Sequence, residues 1–202
     1  MLDIHPTHPQ ERLIDKAVTC LQSGGIIIYP TDSAYALGCA IDNPTGLARI
    51  RYIRALDEQH NFTLMCRDLS EISSYASFDT TVFRLLKAHT PGPYTFIMTA
   101  TKEVPKRLQH PKKKTIGLRI PDHPVTLALL ERLGVPMLSV SLILPGESEA
   151  IADISELPSG VSSAVDEIID SGSCGMQPTS VIDLTADVPK VIRIGKGSVV
   201  GF

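Results

Sequence analysis

The sequence has no tryptophan, and its aromatic residues together make up 5% of 202 residues. Base stacking along a single strand, which needs aromatic side chains interleaved with basic ones, has no support in it. The longest apolar runs, such as Gly25-Ile26-Ile27-Ile28-Tyr29, stop after about five residues, far short of the roughly 20 that a bilayer-spanning helix needs. No membrane partner is expected. The four cysteines, Cys20, Cys39, Cys66 and Cys174, form no CxxC pair, which removes zinc ribbons and thioredoxin-type motifs. The six histidines are dispersed and there is no HExxH, so no protein-bound metal is expected. There is no GxGxxG. Gly195-Lys196-Gly197-Ser198 lacks the upstream glycine of a Walker A loop, and Ser171-Gly172-Ser173-Cys174-Gly175 lacks the leading glycine of a nucleophile elbow. The opening residues Met1 to Pro6 carry neither a basic n-region nor an apolar h-region. The expected compartment is therefore a reducing cytoplasm. There the acceptor pattern Asn61-Phe62-Thr63 meets no glycosylation machinery.

What is present is an ordinary globular composition, 43% hydrophobic and 20% charged. The length fits one domain, residues 1–202, able to bury a core without disulfide or metal staples. Leu13, Ile14, Ala17, Val18 and Leu21 fall on one helical face, which Gly24-Gly25 ends. Strand-length apolar segments follow at Ile26–Tyr29, Tyr35–Cys39, Phe62–Cys66, Tyr94–Met98, Thr115–Ile120, Met137–Leu144, Val181–Leu184 and Val191–Ile194, with Ile168-Ile169 a weaker candidate. Helical patterns lie between them: one opened by Pro44, Asp68–Tyr75, Asp79–His89, and one from Pro124 to Gly134. The sum is an α/β chain of about seven strands with flanking helices. The strands before and after Pro30-Thr31-Asp32-Ser33 are joined too tightly for a helical crossover, so the sheet should be mixed. The first residues, with His5 and His8, read as a frayed terminus.

The polar residues of interest lie at strand ends. Thr31-Asp32-Ser33 follows a buried strand, where open α/β sheets bind ligands, and equally where Asp or Ser caps a plain turn. Arg49, Arg51 and Arg54 share a short helix, and His60-Asn61 precedes the next strand. Arg119 interrupts the apolar run Thr115-Ile116-Gly117-Leu118-Arg119-Ile120 and shares a face with Thr115 and Gly117. An arginine there must be paired, either with an anionic ligand or with an Asp or Glu. Ser139 and Ser141 share a strand face, Thr179-Ser180 opens another strand, and Arg193 sits inside Val191-Ile192-Arg193-Ile194. Brought together, these guanidinium and hydroxyl groups would line a cationic cleft suited to a phosphorylated ligand.

Net charge is −3 with a pI near 6.1, but the charge is unevenly spread. Lys102, Lys106, Arg107, Lys112, Lys113, Lys114 and Arg119 face only Glu103 across 102–119, whereas 147–187 holds nine acidic residues and no Lys or Arg. The Lys112-Lys113-Lys114 triplet reads as a solvated loop or as an RNA contact.

The run from Gly24 through Gly-Ile-Ile-Ile-Tyr-Pro-Thr-Asp-Ser-Ala-Tyr-Ala-Leu-Gly to Cys39 resembles the opening signature of the YrdC-like family. The resemblance continues through Thr115–Pro121, Pro136–Gly146, Pro178–Asp183 and Val191–Gly195. The stretches His60–Glu71 and Ser139–Gly146 are similar to the YciO branch of that family. The resemblance implies a YrdC/RibB-like twisted mixed sheet around a concave, positively charged cleft. It implies binding of a nucleotide and threonine, with ATP and Mg²⁺ as substrates, and synthesis of threonylcarbamoyl-adenylate from threonine, bicarbonate and ATP. That product feeds threonylcarbamoyl modification of a tRNA adenosine. By motif position, Thr31 would contact the threonine moiety and Arg119 its carboxylate. Thr115 would touch the nucleotide, and Thr179 and Arg193 would line its side. Arg54 stands at the Lys of a KxR motif, and Ser139 and Ser141 match two members of an SxSxN strand. The resemblance is incomplete at Leu56, in place of the KxR arginine, and at Ile143, in place of the SxSxN asparagine. Both changes predict a weaker phosphate grip. The resemblance leaves two alternatives: hydrolysis of the same adenylate with His60 assisting, or a module that binds tRNA or double-stranded RNA without synthase activity.

Overall fold

The computed structural model describes residues 1–57 and 60–202. Helix α1 (Glu11–Gln22) buries Ile14, Ala17, Val18 and Leu21, one stripe at helical spacing. Strands β2 (Ile27–Tyr29) and β3 (Ala36–Ala40) are buried along their whole length. Helix α2 (Pro44–Arg54) starts at a proline, its first turn capped by the Asn43 side chain, which accepts from the Gly46 N–H. Strand β4 (Thr63–Met65) is followed by α3 (Leu69–Tyr75) and α4 (Thr80–His89), N-capped by Asp68 and Asp79. Then come β5 (Tyr94–Thr99), β6 (Thr115–Arg119) and α5 (Pro124–Leu133), which ends on Gly134 at φ 74°. The chain finishes with β7 (Met137–Ser141), α6 (Ser159–Ser162), β8 (Glu167–Asp170), β9 (Ser180–Asp183) and β10 (Lys190–Arg193).

All strands, with β1 (Leu2–Asp3), join one ten-stranded sheet in the order β1-β8-β2-β3-β7-β4-β6-β5-β9-β10. The sheet is mixed: β2–β3, β3–β7 and β4–β7 are antiparallel, while β4–β6, β5–β9 and β2–β8 are parallel. Ten strands replace the expected seven or so. The added elements are short: the edge strand β1, and β8 around Ile168-Ile169, which lies between β1 and β2. The expectation of a frayed N-terminus is corrected, since β1 pairs in parallel with β8, and Leu2 and Ile4 are buried. A two-residue strand carries no periodicity by which to find it.

Two apolar clusters occupy opposite faces of the sheet. Ile27 and Tyr29 pack with α1 and α5, while Ile26 and Ile28 face the larger cluster with α3 and α4. Cross-strand pairing fixes which polar residues share the first of these faces. Tyr29 pairs with Ala36, Ala36 with Ser141, Gly38 and Thr63 with Ser139, and Met65 with Arg119. Directly paired side chains point the same way, so this register delivers the site.

Gly38 is required by that register. A Cβ there would lie 2.7 Å from the Tyr29 ring and 3.2 Å from the Leu138 carbonyl oxygen. Gly38→Ala is expected to destabilise the protein by about 1–3 kcal/mol through overpacking. Urea unfolding checks this as a lowered midpoint at constant slope, and an unmoved midpoint would refute the close approach.

Candidate functional site

On that sheet face lies a cavity of about 180 Å³. Its wall includes Thr31, Arg54, His60, Arg119, Ser139, Ser141, Thr179 and Arg193. These eight residues, each given a role from the sequence, are thus brought together from seven separate chain segments. Thr115 and Ser180 are not. Thr115 shares the Arg119 face but sits further back along β6, in an adjoining cavity of about 320 Å³ lined by Phe62, Ile97, Leu108 and Ile116 among others. The two cavities share Asn61, Thr63 and Thr95. Ser180 is fully buried, and its hydroxyl is used up: it donates to the Gly197 carbonyl at 2.5 Å and accepts from the Gly195 N–H at 2.9 Å. It ties the Gly195–Ser198 loop to the start of β9.

Each cation of the wall is placed differently. Arg119 ion-pairs with Asp32, so the partner it required is an acid of the turn after β2. Arg193 is pinned by neutral acceptors. Its Nε donates to the Thr179 carbonyl at 3.0 Å and an Nη to Thr179 Oγ1 at 3.1 Å, while that hydroxyl pairs with Thr95 Oγ1 at 2.9 Å. Arg54, the last residue of α2, is half-buried, and its Nε has no hydrogen-bond partner among the described residues. Burial pushes the Arg54 and Arg193 guanidinium groups down from their ordinary value. No carboxylate among the described residues lines this cavity, so the wall is built to receive anions.

The hydroxyls are held as firmly. Thr31 Oγ1 accepts from the Ser33 and Ala34 N–H groups at 3.1 Å and donates to the Ala34 carbonyl at 2.6 Å, closing its turn. Tyr29, fully buried, reaches past Gly38 and donates to Ser139 Oγ at 2.6 Å. Ile143 lies in the wall, so the aliphatic replacement at that position faces the cavity directly. Leu56 packs against the larger core cluster.

His60 lies edge-on to Phe62, ring centroids 5.3 Å apart. Burial, reinforced by Arg54, lowers it below its ordinary 6.5, so at neutral pH the wall presents a neutral imidazole. The thiols are unreactive by the same physics. Burial pushes Cys39 up to about 12 and Cys20 and Cys174 up to about 11, so none supplies a thiolate nucleophile. Among the described residues no three His, Cys, Asp or Glu side chains converge to hold a metal. No helix of the described residues is long and apolar enough to cross a membrane. Lys112, Lys113 and Lys114 are exposed on the loop before β6, and Lys113 borders the second cavity.

Sequence reasoning missed Asp32 as the arginine's partner, and Tyr29, Thr63 and Thr95. Thr63 and Thr95 were detectable as polar positions inside apolar strands. Tyr29 gave no signal, because it closes an apolar run.

Two predictions follow from this geometry. Tyr29→Phe leaves a cavity-facing serine that water can satisfy and is expected to cost about 1 kcal/mol, whereas Ser139→Ala strands a fully buried phenol and is expected to cost more, about 1–3 kcal/mol. Urea unfolding of the two variants checks the order. The His60 imidazole is expected to titrate below 6.5 by NMR, and Arg54→Gln to move it upward. The unfolded chain protonates this histidine first, so its contribution is present above 6.5 and is lost as the pH falls from there towards the lowered folded value.

Comparison with known proteins agrees with the fold. The YciO protein of Escherichia coli (strain K12) is 54% identical over 199 residues, spanning 98% of this chain and 97% of that protein. Its crystal structure matches with a TM-score of 0.94, over 98% of this chain and 96% of that one. The crystal structure of P. abyssi Sua5 complexed with L-threonine shares the fold at 22% identity, with a TM-score of 0.86 over 96% of this chain and 57% of that one. The model of the Sua5/YciO/YrdC family, described as telomere recombination, matches residues 19–195. That span runs from the end of α1 past Arg193 and takes in every wall residue, and the chain belongs to the Sua5/YciO/YrdC family.

Proposed function

We propose that this protein binds a nucleotide together with a threonine-type amino acid in the two adjoining cavities, and that its chemistry is related to formation of threonylcarbamoyl-adenylate from threonine, bicarbonate and ATP. The observation that carries the reading is the charge arrangement of the wall: one guanidinium already paired, at Arg119, and two without an acid partner among the described residues, at Arg54 and Arg193. A carboxylate suits the first, and a polyphosphate suits the other two. The P. abyssi relative, whose structure is described as a complex with L-threonine, supports the amino-acid half. Thr31, Ser139 and Thr179 would orient the amino acid. The second, largely apolar cavity, with Thr115 in its lining, would take the base.

In the forward reaction a threonine carbamate oxygen attacks the α-phosphate of ATP, which arrives with Mg²⁺ as part of the substrate, and pyrophosphate leaves. The protein's share is positioning and charge stabilisation. Leu56 and Ile143 each stand where the family has a polar group. A hydrogen bond to a charged group contributes about 1.5–3 kcal/mol, so each absence lowers the rate by about tenfold or more where that bond acts in the transition state. The neutral His60 in the wall favours a second reading, hydrolysis of the same adenylate by water.

The test is to supply threonine, bicarbonate, ATP and Mg²⁺ and measure pyrophosphate and adenylate. Low synthase activity is expected from the native chain, rising at least tenfold in the double variant Leu56→Arg, Ile143→Asn. Folded protein with no product in either form overturns the synthase reading. Accelerated decay of added adenylate, lost in His60→Gln, would establish the hydrolytic one.

A further inference from the structure

The three guanidinium groups of the wall differ in what stands behind them. Arg193 donates to a carbonyl and a hydroxyl, both neutral. Neither Arg193 nor Arg54 has a carboxylate within ion-pair distance among the described residues. Arg119 has one, and the pair is deeply enclosed, the side chains 6% and 9% exposed for Arg119 and Asp32. The contact is single. Asp32 Oδ1 accepts from an Nη of Arg119, while Asp32 Oδ2 and Arg119 Nε are both buried without a partner among the described residues.

Arginine–carboxylate pairs frequently close as a bidentate fork, and a buried ionic group left half-satisfied is costly. Here the guanidinium is gripped from one side and still lines the cavity. A Lys196 hydrogen bond to the Asp32 carbonyl helps fix the turn that carries the acid. An incoming anion at Arg119 therefore meets a positive group with a negative one fixed behind it. A carboxylate carries one charge and tolerates this. A phosphate carries up to two near neutral pH and is repelled by Asp32 correspondingly more. At Arg54 and Arg193 no such opposition exists among the described residues.

We propose that Asp32 is a specificity-determining residue that confines phosphate to Arg54 and Arg193 and reserves Arg119 for a carboxylate. It thereby sets the direction in which an amino acid and a nucleotide lie in the cavity. The inference rests on the reading of this cavity as an amino-acid and nucleotide site.

The experiment uses two probes, L-threonine and inorganic phosphate, followed by titration calorimetry. In the native protein each binds, and saturating phosphate shifts the threonine Kd by no more than about twofold, because the two occupy different arginines. In Asp32→Asn, which keeps an acceptor and the shape but not the charge, phosphate gains access to Arg119. The apparent threonine Kd then rises by at least about tenfold in saturating phosphate, or 1.4 kcal/mol. Asp32→Ser, a second charge-free variant, is expected to behave alike and serves if the first does not fold. Competition already present in the native protein, or its absence in the folded variants, overturns the proposal. Threonine binding with no phosphate binding by the native protein also overturns it, while leaving an amino-acid site in place. Failure of both probes to bind overturns this proposal and the reading beneath it together.

Discussion

A guanidinium group cannot be buried alone, and Arg119 is buried at the end of a central strand. That one constraint organises much of what surrounds it. The group needs an acid, and the acid is Asp32, separated from it by 87 positions in the chain. Bringing the two together requires β2 and β3 to fold back through the Thr31–Ser33 turn, and β7 and β4 to fill the gap between β3 and β6. The turn is in turn stiffened by Thr31, whose hydroxyl closes it, and by Thr126 on α5, which donates to the Pro30 carbonyl at 2.5 Å. Helix packing, strand order and site charge thus meet at one ion pair.

The parts of the fold legible in the sequence were those that repeat locally. The helix face of α1, the buried strand β2 and the tight link to β3 each show in a window of a few residues. Arg119 and Arg193 stood out because a charge inside an apolar strand has few explanations. What the sequence could not display was pairing across distance. Nothing near Arg119 names Asp32, and nothing near Ser139 names Tyr29. Alternation put Thr115 on the right face but could not say that four residues of displacement from Arg119 along β6 place it in the neighbouring cavity. Ser180 looked like Thr179, yet one step along the chain turned its hydroxyl to the backbone of the Gly195–Ser198 loop. A strand-end serine anchoring a loop and one facing a ligand are the same residue type in the same local pattern.

The departures from the family pattern acquire different meanings once placed. Ile143 faces the cavity, so it changes the polarity of the wall itself. Leu56 has joined the core, so its replacement is felt as a missing cation and an added packing contact at once. The cavity keeps its buried arginine and its hydroxyls, while an aliphatic side chain stands in its wall at Ile143. Residues that hold a ligand's backbone-like groups and residues that stabilise charge developing on phosphorus can diverge separately.

The loop Gly195–Ser198 is more than a tail to the last strand. Its glycines lie too close to neighbours for any side chain: a Cβ on Gly195 would fall 2.3 Å from the Pro178 oxygen, and one on Gly197 would fall 2.4 Å from the Tyr94 ring. Ser180 bonds both of these glycines, and Arg193 and Thr179 grip each other just before them. The loop, the start of β9 and one wall of the cavity are therefore tied to one another. A substitution at either glycine would therefore displace this wall of the cavity without altering any residue that lines it.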